Sequence, residues 1–338
     1  MIWLDLNSSN KKEILLELEQ DLNLSPVAIE KDWWVTMVLH ALFNTSFASE
    51  LTFKGGTSLS KAWNIIKRFS EDVDITINRE FLGFPGELSK TQISDKLRRA
   101  SCTFVRETIP GELEKQLLAL GIHKSSFCIN VNITTVSTVD PEVITIEYKS
   151  VLDNSQYIKP RVLIEIGARS MAEPFTIKNL QSFIGAAFPN FPFADKPFPA
   201  SIVLPERTFL EKAFLMHEEF AKPSVEIRSN RMSRHLYDLE KLSHTIFATN
   251  AINDTQLYKT VLLHRKKFIG LKGFDYNSLL PATINFCPPE ALHSMYENDY
   301  KSMQATMIYE KSLPFAILLE QIQKLNEKFR QIPILTLL

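Results

Sequence analysis

Residues 53–77, FKGGTSLSKAWNIIKRFSEDVDITI, decide how this chain reads. A glycine pair, Gly55 and Gly56, precedes a helix-length segment that ends in two aspartates, Asp72 and Asp74, separated by one apolar residue. A strand repeats every two residues, so the two aspartates share one face while Val73 and Ile75 share the other. Along a strand the carboxylates stand roughly 6–7 Å apart and can converge on a hard cation such as Mg²⁺ or Mn²⁺. Gly55 and Gly56, followed by Thr57 and Ser58, leave room for a triphosphate to approach backbone N–H groups where the next helix starts. Ser70, two residues before Asp72, is placed either to donate to the same triphosphate or simply to cap a turn. A lone DxD is an ordinary solvated strand end and a lone glycine pair an ordinary turn. Their order, with the acids inside the apolar run VDITI, predicts metal-dependent nucleotidyl-transfer chemistry.

A third carboxylate is expected from a neighbouring strand. Glu165 is the candidate, because it sits centrally in RVLIEIGA (161–168) with apolar neighbours on both sides. An ionised group there costs several kcal/mol unless it is paired or metal-bound. Its alternatives are a salt bridge to Arg161 or Arg169, with Glu147 in ITIEYKS as the rival ligand. Lys61, Lys67 and Arg68 cluster around the end of the segment after the glycines, where basic charge suits an anionic substrate, RNA included. Each of them also reads as a solvated charge.

At 338 residues the chain holds two domains or one large two-lobed unit. Its 45% hydrophobic and 23% charged content is that of a folded globular protein. The formal net charge of −1 excludes a global basic field, so a nucleic-acid partner would have to be gripped by a local patch. Cys102, Cys128 and Cys287 are scattered without a CxxC pair, which speaks against a disulfide framework or zinc site and fits a reducing cytoplasm. The start, MIWLDLNSSNKKEILLELEQ, lacks the pattern of a secretory signal, and no run approaches the roughly 18 apolar residues of a membrane span. A cytoplasmic protein with no membrane partner is expected.

Residues up to about 44 predict two helices, the second starting at Ser25-Pro26. Trp33, Trp34, Met37, Val38 and Leu42 recur at helical spacing and predict core, with Lys31 and Asp32 tying the helix down. Residues 89–119 read as helical. FCINVNITTV (127–136), EVITIEYKS (142–150) and RVLIEIGA predict strands that extend the sheet antiparallel. The proline- and phenylalanine-rich stretch AFPNFPFADKPFPA (187–200) predicts an ordered crossing that is neither helix nor central strand. Helices follow from Glu206, and the apolar positions Phe209, Leu210, Ala213, Phe214 and Met216 place Lys212 near their core-facing side. HRKK (264–267) with Arg228, Arg231 and Arg234 adds basic density, enough for a groove that holds an RNA end.

The stretch at 53–77 resembles the AbiEii/AbiGii nucleotidyltransferase toxin family. Three further blocks carry the resemblance in order: IEKDWWVTMVLHALF (29–43), ERTFLEKAFLMHEE (206–219) and RMSRHLYDLEKL (231–242). Together they cover about residues 25–245. The resemblance implies an α/β (α+β) fold: a polymerase-β-like nucleotidyltransferase core with a small mixed or antiparallel sheet, plus a helical C-terminal lobe. On that reading residues 1–204 form the core with its N-terminal helices, and 205–338 the lobe that contributes active-site residues. It implies Lys212 as a phosphate-contacting residue and Asp238 as an acid that orients Lys212 or the nucleotide without holding metal. Arg234 and His235 stand one turn before Asp238, and Arg234 can pair with it at i, i+4. The implied activity is transfer of NMP from an NTP to RNA, with the 3′ end of tRNA as the target class, in a toxin opposed by a cognate antitoxin. The alternatives are transfer to a protein hydroxyl, or a non-catalytic RNA- or partner-binding module that keeps the fold. The intact Asp72/Asp74 pair speaks against the last.

Overall fold

The apolar side of DVDITI decides the architecture. In the computed structural model, which describes residues 1–70, 72–132, 142–152 and 158–333, Val73, Ile75 and Ile77 are fully buried. Asp72 and Asp74 on the opposite side are half-buried. The same alternation holds in RVLIEIG, where Val162, Ile164 and Ile166 are buried. Each such side chain removed from water contributes about 1.5–3 kcal/mol, so this face fixes the register of both strands.

The chain divides into two compact units, Met1–Ala62 with Phe69–Val203, and Trp63–Arg68 with Leu204–Leu338. The first contains α1 (Ser8–Leu22), α2 (Pro26–Phe43), β1 (Leu51–Lys54), α3 (Gly55–Lys61) and β2 (Asp72–Ile77). It continues with α4 (Arg98–Glu107), α5 (Ile109–Ala119), β3 (Phe127–Asn132), β4 (Glu142–Tyr148), β5 (Arg161–Gly167), β6 (Phe175–Leu180), α6 (Phe183–Ala187) and β7 (Phe198–Val203). Among the described residues the strands form one seven-stranded mixed sheet in the order β3-β4-β5-β2-β1-β7-β6. β2 is central, antiparallel to β1 and parallel to β5. β4 runs antiparallel to both β3 and β5, the antiparallel extension expected from their sequences. Residues 133–136 of the predicted third strand lie outside the described residues. α2, α4 and α5 pack on the sheet.

α2 is mostly apolar and buried nearly all round, its charged Glu30, Lys31 and Asp32 included. Ser25 caps it by accepting from the Ala28 N–H, with Pro26 in the first turn. Trp33 and Trp34 are buried as expected; Trp33 lies against Trp3, and Trp34 stacks on Tyr148 at 4.9 Å between ring centroids.

Two strands depart from expectation. β6 is an edge strand whose Phe175 and Ile177 are exposed, so its alternation carries no burial signal. β7 is interior, although it begins within the proline-rich stretch, where no central strand was expected. Pro199 is tolerated because it lies opposite Asn179 of β6 at the strand start, whereas pairing with β1 is made at Ile202, after the proline. Phe188, Phe191 and Phe193 do cluster in the preceding crossing.

The second unit is helical: α7 (Pro205–Phe220), α8 (Ser233–Ser243), α9 (Ile246–Asn253), α10 (Thr255–His264), α11 (His293–Thr306) and α12 (Phe315–Arg330). α7 supplies its core, with Phe209, Leu210, Ala213, Phe214 and Met216 fully buried. Phe209 meets Phe329 of α12, and Phe214 meets Tyr258 of α10 edge-on. No helix among the described residues is long and apolar enough to cross a membrane.

Candidate functional site

Asp74 stands directly opposite Lys54 of β1 on one side and Glu165 of β5 on the other. Opposed residues in a sheet project to the same face, so Asp72, Asp74 and Glu165 all lie on the side turned away from the apolar core. β1 runs straight into α3 through Gly55, whose φ of +79° requires glycine. A Cβ at Gly55 would lie 2.0 Å from Oδ2 of Asp74. The turn and the carboxylate are therefore fitted to each other. Thr57 donates its hydroxyl to the carbonyl of Asp72 at 2.5 Å, and Ser58 donates to the carbonyl of Gly55 at 2.9 Å. The Thr57 hydroxyl fastens the turn to β2 and that of Ser58 closes the turn on itself, so what this turn offers a phosphate is backbone N–H. Ser70 is half-buried on the approach to β2.

The expected three-carboxylate set does not close into a group of three placed to hold one metal ion, among the described residues. Oxygen donors from two carboxylates nevertheless suit Mg²⁺, which is commonly held by one or two carboxylates together with substrate phosphates. Glu147, the rival third ligand, is exposed and sits opposite Arg161, at the other end of β5 from Glu165.

A second cluster forms in the helical unit. Asp238 on α8 is fully buried. Arg68 grips both its oxygens, Nε to Oδ1 at 2.7 Å and Nη2 to Oδ2 at 2.8 Å, and Lys212 of α7 reaches Oδ2 at 2.8 Å. The segment Trp63–Arg68 is held in place by an isolated bridge between Arg68 and Ile308 and by the Tyr309 N–H donating to the carbonyl of Lys67. The Tyr237 hydroxyl accepts from the Lys67 N–H and donates to Glu310. Burial alone would push the Asp238 carboxyl up, but Arg68 and Lys212 together outweigh it and hold the group far below the usual carboxylate range. Burial, with Arg68 and Arg234 nearby, pushes the Lys212 ammonium down against the pull of Asp238. Burial and the charges of Lys212 and Arg234 keep His235 a neutral imidazole, and its Nδ1 is buried without a hydrogen-bond partner. Two cations, Arg68 and Lys212, thus bear on one carboxylate, with Arg234 near Lys212.

Several sequence-predicted contacts are placed elsewhere. Asp238 is held by Lys212, as the resemblance implied, and also by Arg68, a partner the sequence did not suggest. Arg68, expected to face substrate, is 2% exposed and internal. Lys61, expected beside phosphate or RNA, is buried against Asp32 at 2.6 Å. Arg228 pairs with Glu219, and Arg265 of the HRKK run with Glu218, so part of the basic density expected in a groove is spent inside the helical unit. The Arg68–Asp238 tie escaped the sequence reading because its partners are 170 residues apart. Its one local signal is an arginine placed between apolar Ile65, Ile66 and Phe69 ahead of β2.

A model of the family described as nucleotidyl transferase AbiEii toxin, type IV toxin–antitoxin system, matches residues 38–331. Among solved structures, MenT4, a nucleotidyltransferase toxin from Mycobacterium tuberculosis, superposes with a TM-score of 0.53 at 16% identity, covering 96% of this chain and 90% of that one. That likeness speaks for a shared fold. No curated protein matches the chain. With the family model spanning most of its length, the chain belongs to the AbiEii nucleotidyltransferase toxins of type IV toxin–antitoxin systems.

Proposed function

We propose that this nucleotidyltransferase moves NMP from an NTP onto RNA, with the 3′ end of tRNA as acceptor, and that Mg²⁺ or Mn²⁺ is held by Asp72 and Asp74, with Glu165 beside them. The acceptor hydroxyl attacks the α-phosphorus, the bond to pyrophosphate breaks, and the hydroxyl loses its proton. When bound, the cation lowers the pKa of that hydroxyl and neutralises charge on the α-phosphate. Backbone N–H groups at Gly55, Gly56, Thr57 and Ser58 cradle the triphosphate, with Ser70 nearby. Lys212 neutralises phosphate charge, and Asp238 holds that ammonium in place. Arg234 and His235 flank it as candidate phosphate or RNA contacts.

One observation carries the reading: the glycine turn is shaped around Asp74, so the phosphate cradle and the acidic strand form one construction. Arg68, which grips Asp238, stands four residues before Asp72 in the chain. The choice of RNA as acceptor, and of a cognate antitoxin as partner, rests on the family resemblance.

Purified protein incubated with Mg²⁺, each labelled NTP and total tRNA should label tRNA, and Asp72→Ala or Asp74→Ala should abolish labelling at equal soluble protein. Expression of the wild type should arrest growth and that of either variant should not. Label appearing on protein in place of RNA would move the acceptor to a protein hydroxyl. Growth arrest that persists in Asp72→Ala would assign toxicity to binding.

A further inference from the structure

Lys54 ends β1 and forms a row with Asp74 and Glu165 across three adjacent strands. Its Nζ donates to Oγ of Ser170 at 2.8 Å. Ser170 lies just beyond β5, which ends at Gly167. The side chain therefore leans from β1 toward the segment that follows β5, and β2 lies between those two strands. Its path crosses the strand that carries Asp74, on the carboxylate face. Directly after Lys54 comes Gly55, the residue whose missing side chain makes room for the Asp74 carboxylate.

An ammonium has three donors, and one of them goes to Ser170. A neutral hydroxyl fixes the direction of the arm without cancelling its charge. A lysine that merely balanced the acids would need no such guide. A point charge carried by the residue that precedes the glycine turn, on the carboxylate face, suits a phosphate oxygen, the anion that lysine commonly takes as a compact cation. We propose that Lys54 is a second phosphate-binding cation of the transfer site, taking a non-bridging oxygen of the triphosphate as it lies along the Gly55–Gly56 turn, with Ser170 as its positioning residue. This assignment rests on the NTP reading of the site.

The test compares Lys54→Met, Lys54→Arg and Ser170→Ala with the wild type in three measurements: kcat and KM for the incorporated NTP, affinity for inorganic tripolyphosphate, and thermal stability. Lys54→Met should raise KM and weaken tripolyphosphate about tenfold or more, the size of one charge-assisted hydrogen bond. Lys54→Arg should recover part of that loss, and Ser170→Ala should weaken binding a few-fold with an unchanged melting temperature. Wild-type KM and tripolyphosphate affinity in Lys54→Met, or a lowered melting temperature with no change in binding, would make the lysine structural and overturn the assignment. Should Lys54→Met fail to fold, unaltered tripolyphosphate binding in Ser170→Ala and Lys54→Arg overturns it equally. Normal KM in Lys54→Met alongside lost turnover in Asp72→Asn would retain the transfer site and discard only this role for Lys54. A wild type that binds neither NTP nor tripolyphosphate would sink both.

Discussion

Asp32 and Asp238 are both buried aspartates bonded to a lysine, at 2.6 Å in the sheet unit and 2.8 Å in the helical unit, yet the two sites are built to opposite ends. Asp32 has one cation, Lys61, and completes its shell with the Phe183 N–H at 2.9 Å. Burial outweighs Lys61 there, and the carboxyl lies above its ordinary range. The result is a knot without excess positive charge, with Asp195 also nearby, that joins α2 to α3 and α6. Asp238 has two cations in contact and Arg234 near Lys212, and its carboxyl lies far below the ordinary range. Two cations share the one carboxylate there. Burial and hydrogen bonding therefore do not separate a structural lysine from the lysine proposed to meet a phosphate; the number of cations sharing the carboxylate does. A closed pair has nothing left to offer, whereas an overcharged one gains by taking a phosphate.

The largest effect should come from removing the overcharged acid. Asp238→Ala leaves Arg68 and Lys212 buried beside each other, and uncompensated buried charge costs about 3–5 kcal/mol. Urea unfolding should register that loss together with lost turnover. A cost under about 1 kcal/mol would mean that the cations relax to solvent and that their charge is not confined. Removing the lysine should act differently. In Lys212→Met, Arg68 still grips both oxygens of Asp238, so stability should stay within about 1 kcal/mol of wild type. Turnover should fall about 10²–10³-fold, some 3–4 kcal/mol of transition-state stabilisation, and high NTP should restore part of it. A large stability loss with little kinetic change would reduce Lys212 to the role of Lys61.

The same contrast shows what the sequence could and could not reveal. DVDITI and RVLIEIG were legible because a half-buried strand writes its two faces at period two, and the acidic face was legible with them. The glycine turn was legible for the same local reason: Gly55 takes a conformation that other residues resist. β6 was not, because exposed Phe175 and Ile177 imitate core residues without being buried. The start of β7 was hidden by prolines that only the pairing pattern excuses. Lys61 and Lys212 are indistinguishable as letters in helical segments, and family resemblance alone singled out Lys212. Their partners sit 29 and 26 residues away along the chain, and Arg68 lies 170 from Asp238, beyond any local pattern.

Lys61→Met gives the middle-sized effect and checks the other half of the comparison. It leaves the Asp32 carboxylate with the Phe183 N–H but without its counter-charge, at a cost of about 1–3 kcal/mol. Turnover measured below the unfolding transition should stay within a few-fold of wild type. A kinetic loss as deep as that of Lys212→Met, at unchanged stability, would put Lys61 against phosphate after all and erase the distinction.

Acidification gives the smallest effect but tests the comparison by sign. Asp238 has a depressed pKa in the fold, so the unfolded chain takes up the proton first. Its contribution is full above the ordinary aspartate pKa of about 3.9 and is lost as pH falls through and below that value. Asp32 has a raised pKa, so the folded chain takes up the proton first. Its site gains stability as pH falls through that raised value, and the gain levels off below the ordinary one. Each group can change stability by at most about 1.4 kcal/mol per pH unit. Urea unfolding of wild type, Asp238→Asn and Asp32→Asn at intervals from pH 7 to pH 3 should separate them. Asp238→Asn should make the acid limb shallower, because the group responsible for part of the fall is gone. Asp32→Asn should make it steeper, because a compensating gain is gone. Slopes that change in the reverse directions would mean that Lys61 outweighs burial at Asp32 while burial outweighs Arg68 and Lys212 at Asp238, and the helical unit would then have no excess charge with which to meet a phosphate.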